Sequence, residues 1–571
     1  MLRVVEAFSG IGSQAQALRN IGAEFEIAAT IEWDINAAYA YDIIHNGEQR
    51  LSEVDLLESK QDLISFLLRM GVSINGKEPA TLTALRTVSE KALRSMAYAL
   101  RRTNNLVDVT NVSATDLPNK VDVLTYSFPC QDLSISGSWH GNMSGIRRDA
   151  NNRSGMLWEI ERIIKEHKNI GKKLPRFLLM ENVYNILSKA HNGDFDDWKD
   201  TLTGLGYINH VFTLNAMDFG IPQDRRRTFM LSVHCEDKRK AKELEEFFSK
   251  HSLEGKTLRD SIPLKEFLRT DYSDEAYHSE AEESNPNFTP SRKKIHQDNE
   301  YIFDGTDAIR DSVRTITTKQ DRNPNSGLIK YKNGENGKAP YRNLTPRECF
   351  LLMGFNEEAF DSLMKHNVEL RKERRIFARE KLIKLAGNSI VVQVLEEIFL
   401  QILFIKKHIL KSTMNEKSSG NQLSIENVRT DVHTKAQRSY NMSRIRSKDT
   451  TPERIVRSYL HRNGFRFRVC AGNLFGKPDI VLPKYRTVIF VHGCFWHGHE
   501  NCRFFVEPKA NADSWKKKFD DNKRRDVLTQ QKLSADGWKV IIIWECELKP
   551  DKRKETLEHL QKTILDRQNS L

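Results

Sequence analysis

The chain has 571 residues, 39% of them hydrophobic and 9% aromatic, enough for two to four domains with full-sized cores. Its seven cysteines, an odd number scattered over this length, exclude a secreted disulfide framework and point to a reducing compartment. The net charge of +12 sits at one end: residues 437–571 hold 28 Lys and Arg against 16 Asp and Glu, while the first 436 residues balance. That last quarter is the part expected to meet a polyanion, most simply nucleic acid.

The opening RVVEAF reads as a strand with no charged leader or small-residue cleavage site, so no secretory signal is expected. A Gly turn (SGIG), a helix (SQAQALRNIG) and a second strand (FEIAATIE) complete a βαβ unit. Residues 52–105 show helical spacing in DLISFLLRMG and SEKALRSMAYALRR. A strand, DVLTYS, then leads into FPCQ. A helix over SGMLWEIERIIKEH, an apolar strand RFLLMENV and further alternation through GYINHVFTLNAMDFGIPQDRRRTFMLSV follow. Strands alternating with helices predict an α/β fold, a mostly parallel sheet with helices on both faces.

Residues 236–339 turn polar and read as a small irregular insert with short strands such as VRTITT. Helical order returns in YRNLTPRECFLLMGF and KLAGNSIVVQVLEEIFLQIL. The longest apolar run, IFLQILFI at 398–405, is too short to span a bilayer. Residues 406–430 are a linker by composition, and a new domain begins at 431.

Cys130 follows a proline at a predicted strand end, the edge where α/β sheets place ligands and chemistry. Alone it would more simply be a buried core thiol. Its company is FSGIG at 8–12, Glu32 ending a strand, Asp116 in SATDLP, Glu181 in LMENV, Gln223, Arg225 and Arg227 in QDRRR, then RNLTPRECFLLMGF and GNSI. In this order the set resembles the DNA cytosine-5 methyltransferase family over residues 1–235 and 340–405.

That resemblance implies a Rossmann-like, S-adenosylmethionine-dependent methyltransferase domain, with residues 236–339 as its target-recognition region. It makes Cys130 the nucleophile at C6 of cytosine, because C5 is a poor nucleophile until a thiolate turns the ring into an enamine. Glu181 then shares a proton with N3, and Arg225 and Arg227 support the base and its backbone. Phe8, Gly10 and Gly12 pass close to the cofactor, Glu32 takes the ribose hydroxyls, Asp116 is the adenine-side contact, and Asn388 with Ser389 closes over the cofactor. The target cytosine has to leave the base stack.

A second cluster lies in VHGCFWHGHENC, residues 491–502. Cys494, His499 and Cys502 form C-x4-H-x2-C, and Cys546 lies in IIIWECEL. Four such donors suit a closed tetrahedral zinc site, although the spacing leaves core thiols beside surface histidines open. With DVHTKAQRSYNMSRIRSKDTTPE and GKPDIVLPKYRTVIF in front, the segment resembles the very-short-patch repair endonucleases over residues 431–550. These nick DNA beside the T·G mismatch left when 5-methylcytosine deaminates.

The resemblance implies a restriction-endonuclease-like α/β domain over 431–571 with a structural zinc held by Cys494, His499, Cys502 and Cys546. His492 and His497 are then catalytic, with His497 the general base. Asp479 and the Val491 carbonyl hold Mg²⁺, and Glu453 is a supporting acid. Phe495 and Trp496, joined by Trp515, form a wedge that replaces lost base stacking. The sequence departs from the pattern twice: Val491 stands where Thr is familiar, and two residues separate His499 from Cys502 where one is expected.

The expected protein is a bifunctional bacterial DNA enzyme of the cytoplasm. It acts on double-stranded DNA, needs no membrane, and leaves completion of repair to mismatch-repair helper proteins. Two rivals replace the mismatch nuclease by a restriction nuclease cutting unmethylated sites, or by a zinc module that only binds DNA.

Overall fold

The computed structural model describes residues 1–129, 133, 145–148, 154–322, 325–332, 334, 336–410, 451–469, 474–494, 497–500, 502, 505, 512–549 and 552–565. Cys130, Phe495, Trp496 and residues 411–430 of the expected linker lie outside them. The chain divides into two compact units, Met1–Val432 and His433–Leu571.

The first unit is built on a six-stranded sheet. Its strands are β1 (Leu2–Ala7), β2 (Phe25–Ile31), β3 (Val123–Tyr126), β4 (Phe177–Val183), β5 (Tyr207–Asn215) and β6 (Arg226–His234), in the order β2-β1-β3-β4-β6-β5. The first four pair in parallel, and β6 runs against both neighbours. The reversal of β6 follows from its short connection to β5, which has no room for a crossover helix. As a result β6 begins beside the end of β4, with Arg227 opposite Val183.

Helices α1 (Ser13–Asn20), α2 (Ile35–Asn46) and α3 (Leu157–Asn169) cover the sheet, and two hydrophobic clusters fill its two faces. Helix α2 starts at an Asp34 cap whose side chain accepts from the Asn36 N–H. The region 236–339 shares the main core. Its helix Lys238–Lys250 buries Leu244, Phe247 and Phe248, and Phe247 stacks on Phe404 at 5.2 Å.

Helices α4 (Arg379–Gly387) and α5 (Val392–Phe404) close the unit. The stretch Arg379–Ile409 is long and apolar enough by composition to cross a membrane, but 83% of its most apolar window is buried inside the fold. Ile405–Ile409 prolong α5 as a π turn in which Lys406 pairs with Asp122 at 3.2 Å. Ile405 is still core, and residues 406–409, at the start of the expected linker, belong to this turn.

Glu6 on β1 is fully buried. Burial pushes its carboxyl up to about 8, against smaller pulls from Tyr41, the Ala15 amide and Arg19. An unfolded chain gives up that proton near 4.5, so this contribution to stability is fully present below 4.5 and is lost as pH rises to about 8. The loss is on the order of 5 kcal/mol. Glu6→Gln is expected to flatten the fall in melting temperature between pH 5 and 8; parallel curves for the two proteins would contradict this.

The second unit carries a four-stranded sheet, β7 (Arg468–Val469), β8 (Ile480–Leu482), β9 (Thr487–His492) and β10 (Lys539–Trp544), in that order. The first two pairings are antiparallel and β9–β10 is parallel. A parallel pair needs a long crossover, and here it contains helix α7 (Ala512–Ala535). Helix α6 (Thr451–Arg462) buries Val456 and Leu460 in the core beneath the sheet.

Candidate active sites

In the first unit the C-terminal ends of the parallel strands gather most of the expected residues. Phe8 has φ 57, Gly10 φ 54 and Gly12 φ 78. A Cβ on Gly12 would lie 2.3 Å from the His45 Nε2, so only glycine fits there. A Cβ on Gly10 would meet nothing within 4 Å, which leaves open space beside this turn. Arg19 donates to the His45 Nδ1 at 3.2 Å, which makes Nε2 the protonated nitrogen that donates to the Ile11 carbonyl at 2.9 Å.

Glu32 follows β2. Its carboxylate accepts from the Gly10 N–H and the Asp34 N–H, both at 2.8 Å. Burial, then the charge of Asp34, push its carboxyl up to about 7. Asp34 is itself paired with Lys384 at 3.1 Å and Lys381 at 3.5 Å, both on α4. Burial raises its carboxyl, but the two lysines outweigh burial and hold it below the usual range. Asn388 and Ser389 end α4, and their backbone N–H groups donate to Lys384 and Ala386.

Asp116 is not brought to this edge. Its carboxylate accepts from the Ser113 N–H at 2.8 Å in an exposed turn. The Ala114 N–H of that turn donates to Glu166 in the last turn of α3, and Lys172 donates to the carbonyls of Ala114 and Leu117. Those partners lie at the opposite edge, where β3 and β4 begin. The acid at the strand ends is Asp108. It follows Leu106, whose N–H donates to the Thr30 carbonyl on β2 at 2.9 Å, and Asn105, whose side chain accepts from the Glu32 N–H at 3.0 Å. The signal for it was available in VDV, the first acid after the helical stretch 52–105.

Glu181 sits near the end of β4, and Arg227 reaches it from β6 at 3.3 Å. Burial raises the Glu181 carboxyl, while Arg227, then Arg225 and Ser127, pull it down by less. The flanks of Cys130 are tied to the same edge. Asn182 donates to the Phe128 carbonyl at 3.0 Å, Ser154 to Pro129 at 2.8 Å, and Asn185 to Leu133 at 2.7 Å.

Arg225 takes a different position from Arg227. It is buried and donates to the carbonyls of Ile316, Gly387 and Ser389. Gln223 accepts from the Ile316 N–H and donates to the Leu352 carbonyl. These two side chains bind the 236–339 region to α4 and to the helix Pro346–Leu352.

In the second unit two clusters share one turn. Cys494, His499, Cys502 and Cys546 have their ligand atoms within 4.8 Å of one another, so the additional residue before Cys502 leaves its thiol in the group. Burial, with the neighbouring Cys546 and Cys502, pushes the Cys494 thiol up to about 12. Thiols this crowded do not ionise together without a cation among them. Gly498 has φ 58 and separates His497, which joins the second cluster, from His499, which joins the first.

The second cluster is His492, His497 and Asp526. The two imidazoles stack face to face at 3.8 Å and 9°, and the His497 Nδ1 lies 2.6 Å from Asp526 Oδ2. Ring-nitrogen lone pairs lie in the ring planes, and parallel stacked planes cannot converge on one ion, so this arrangement suits proton transfer better than metal binding. Burial, then His497, holds the His492 imidazole down to about 4. Asp526 lies on α7 with no local motif to announce it. Trp544, two residues before Cys546, joins the two clusters: it stacks on His499 at 3.9 Å and 3° and makes an edge-to-face contact with His492 at 5.4 Å and 80°.

Asp479 precedes β8 and accepts from the Val491 N–H of β9 at 2.8 Å. Burial, with the charge of Glu453, pushes its carboxyl up to about 6 against smaller pulls from the Val491 N–H, Arg457 and His497. Glu453 is buried on α6 and paired with Arg457. Trp515 lies in α7.

The C-5 cytosine-specific DNA methylase model matches residues 86–404, and the DNA mismatch endonuclease Vsr model matches residues 430–503. The chain belongs to the C-5 cytosine-specific DNA methylases and carries a Vsr-type mismatch endonuclease fused behind that domain. It is an enzyme twice over, and DNA is the substrate of both parts.

The orphan methyltransferase M.SssI of Spiroplasma monobiae is 33% identical over 410 residues, covering 70% of this chain and 96% of that protein. The type II nicking enzyme V.NmeAIP of Neisseria meningitidis is 46% identical over 138 residues, 24% of this chain and 98% of that protein. The DNA mismatch endonuclease Vsr of Escherichia coli is 44% identical over 119 residues, 21% of this chain and 76% of that protein.

Proposed function

We propose that the first unit methylates cytosine at C5 in a specific duplex site, and that the second nicks DNA at the T·G mismatches that arise there by deamination of 5-methylcytosine. The observation that supports the pairing best is one chain holding both a Glu181–Arg227 pair at the strand edge to which Phe128 and Pro129 are tied and a His497–Asp526 pair beside a Cys/His cluster. Residues 1–235 and 340–405 are the catalytic domain on this reading, 236–339 the target-recognition region, and 431–571 the endonuclease.

The family implies S-adenosylmethionine, and the glycine turn with the Glu32 carboxylate fits its ribose. Bound there, it supplies an electrophilic methyl group. The Cys130 thiolate adds to C6 of the flipped cytosine while Glu181 gives a proton to N3. C5 would then take the methyl as its bond to the sulfonium sulfur breaks and a neutral thioether leaves; with the C5 proton passing to water and the N3 proton returning to Glu181, the thiolate would be expelled. Arg227 holds Glu181 in place, and Arg225 acts from behind by fixing Ser389 and Ile316. Asp108 replaces Asp116 as the adenine-side acid. Asn388 and Ser389, tied through Lys384 to Asp34, close the cofactor side.

In the second unit three thiols and an imidazole suit zinc, which would brace the turn from Cys494 to Cys502. Asp479, crowded by Glu453, suits a hard divalent cation such as Mg²⁺, with the Val491 carbonyl beside it, to offset charge on the scissile phosphate. His497, oriented by Asp526, takes a proton from the attacking water, and His492 supports it. Phe495, Trp496 and Trp515 form the wedge. Helper proteins of mismatch repair complete the work in a bacterial cytoplasm.

The reading is tested by nicking, with Mg²⁺, of duplexes that differ only in a T·G or C·G pair within a randomised context. Nicking confined to T·G supports it. Cutting of unmethylated C·G duplex would establish a restriction enzyme, and no cutting would leave a binding module. Matching site preferences for methylation and nicking would show that both units read one site.

Cofactor affinity is expected to depend on pH through Glu32. The carboxylate form accepts the ribose hydroxyls, so below about 7 each pH unit weakens binding roughly tenfold. Calorimetric titration of S-adenosylmethionine at pH 6 and 8 checks this. Equal affinities, or the same slope in Glu32→Gln, would remove Glu32 from the site.

A further inference from the structure

We propose that Trp544 is a positioning residue of the endonuclease, whose indole couples the Cys494–His499–Cys502–Cys546 cluster to the His492–His497 pair. Its backbone is set from two sides. Trp544 ends β10 directly opposite His492 in the parallel register. Its N–H donates to Glu547 at 2.8 Å and so caps the short turn Glu545–Leu548 that carries Cys546.

The ring then bridges the two clusters. One face lies on His499 at 3.9 Å and 3°, and the indole meets His492 at 5.4 Å and 80°. His492 in turn stacks on His497, which reaches Asp526. The result is an unbroken series of rings from a thiol-cluster imidazole to the Asp526 carboxylate. The edge-to-face contact with His492 is a geometry that aromatic rings favour, and the parallel contact with His499 fixes the plane of that imidazole.

Trp544 is only partly buried and belongs to neither hydrophobic cluster of this unit among the described residues. Core filling therefore does not account for it. Removing the ring frees one side of His492, and through the stack the ring plane of His497. Small misplacements of a reacting group are costly in rate. Trp544 touches no reacting atom, so its effect belongs in turnover and not in DNA affinity.

The inference rests on reading His492 and His497 as the reacting pair, and His497→Ala tests that reading separately: undiminished nicking by that variant would overturn it. The test of Trp544 uses the full chain with Trp544→Leu and Trp544→Phe. Nicking kcat, KM for T·G duplex and bound zinc per chain are measured for each. The expected result for Trp544→Leu is a kcat about 10- to 100-fold lower, with KM and zinc content unchanged. Trp544→Phe, which keeps a flat ring, is expected to restore most of the turnover. Unchanged kcat in Trp544→Leu overturns the proposal. So does loss of zinc together with activity, which would make the residue a plain support of the thiol cluster. Failure of Trp544→Phe to restore turnover, with zinc retained, overturns it as well.

Discussion

Glu181→Gln is expected to lower the turnover of methyl transfer by about 10²- to 10⁴-fold, with S-adenosylmethionine affinity and T·G nicking unchanged. The amide fills the space of the carboxyl but cannot hand a proton to N3 and take it back. Burial makes the native group suited to that exchange, because it lifts the carboxyl above its ordinary range even with Arg227 at 3.3 Å. A raised value also gives the native enzyme a limb on which turnover falls as pH rises through it and the proton donor is lost. The variant has no such limb. Single-turnover methylation across pH reads both effects, and native-like rates in the variant would take Glu181 out of the chemistry.

Asp526→Asn is expected to reduce nicking by about 10²-fold or more. Asp526 only accepts hydrogen bonds, so it holds the proton of His497 on Nδ1 and leaves Nε2 free to act as a base. An asparagine amide can donate instead and favours the wrong tautomer. Glu at the same position keeps the charge and is expected to recover part of the rate. Rates are read on a T·G duplex at saturating Mg²⁺; if Asn and Asp perform alike, His497 draws nothing from this carboxylate.

The two sites were legible to different depths. The thiol cluster is nearly local: Cys494, His499 and Cys502 fall within nine residues, and Cys546 follows an apolar strand. Asp526 was not legible, because its meeting with His497 depends on the rotation of α7 over the sheet, which packing decides. Asp108 and Asp116 are both acids in one irregular stretch, and only the path of that stretch shows which lies at the strand ends. Arg225 and Arg227 look equivalent in QDRRR, yet one meets a carboxylate and the other three backbone carbonyls.

By itself the sequence determined the two enzyme types, the order of the units and the chemistry of their reacting groups, because these reside in residue type and short spacing. The tertiary structure decided which acids serve each site, the reversal of β6 that sets Arg227 beside Glu181, and the stacking of His492, His497, His499 and Trp544. Those depend on strand register and helix rotation, which are fixed by the whole core and by no single motif.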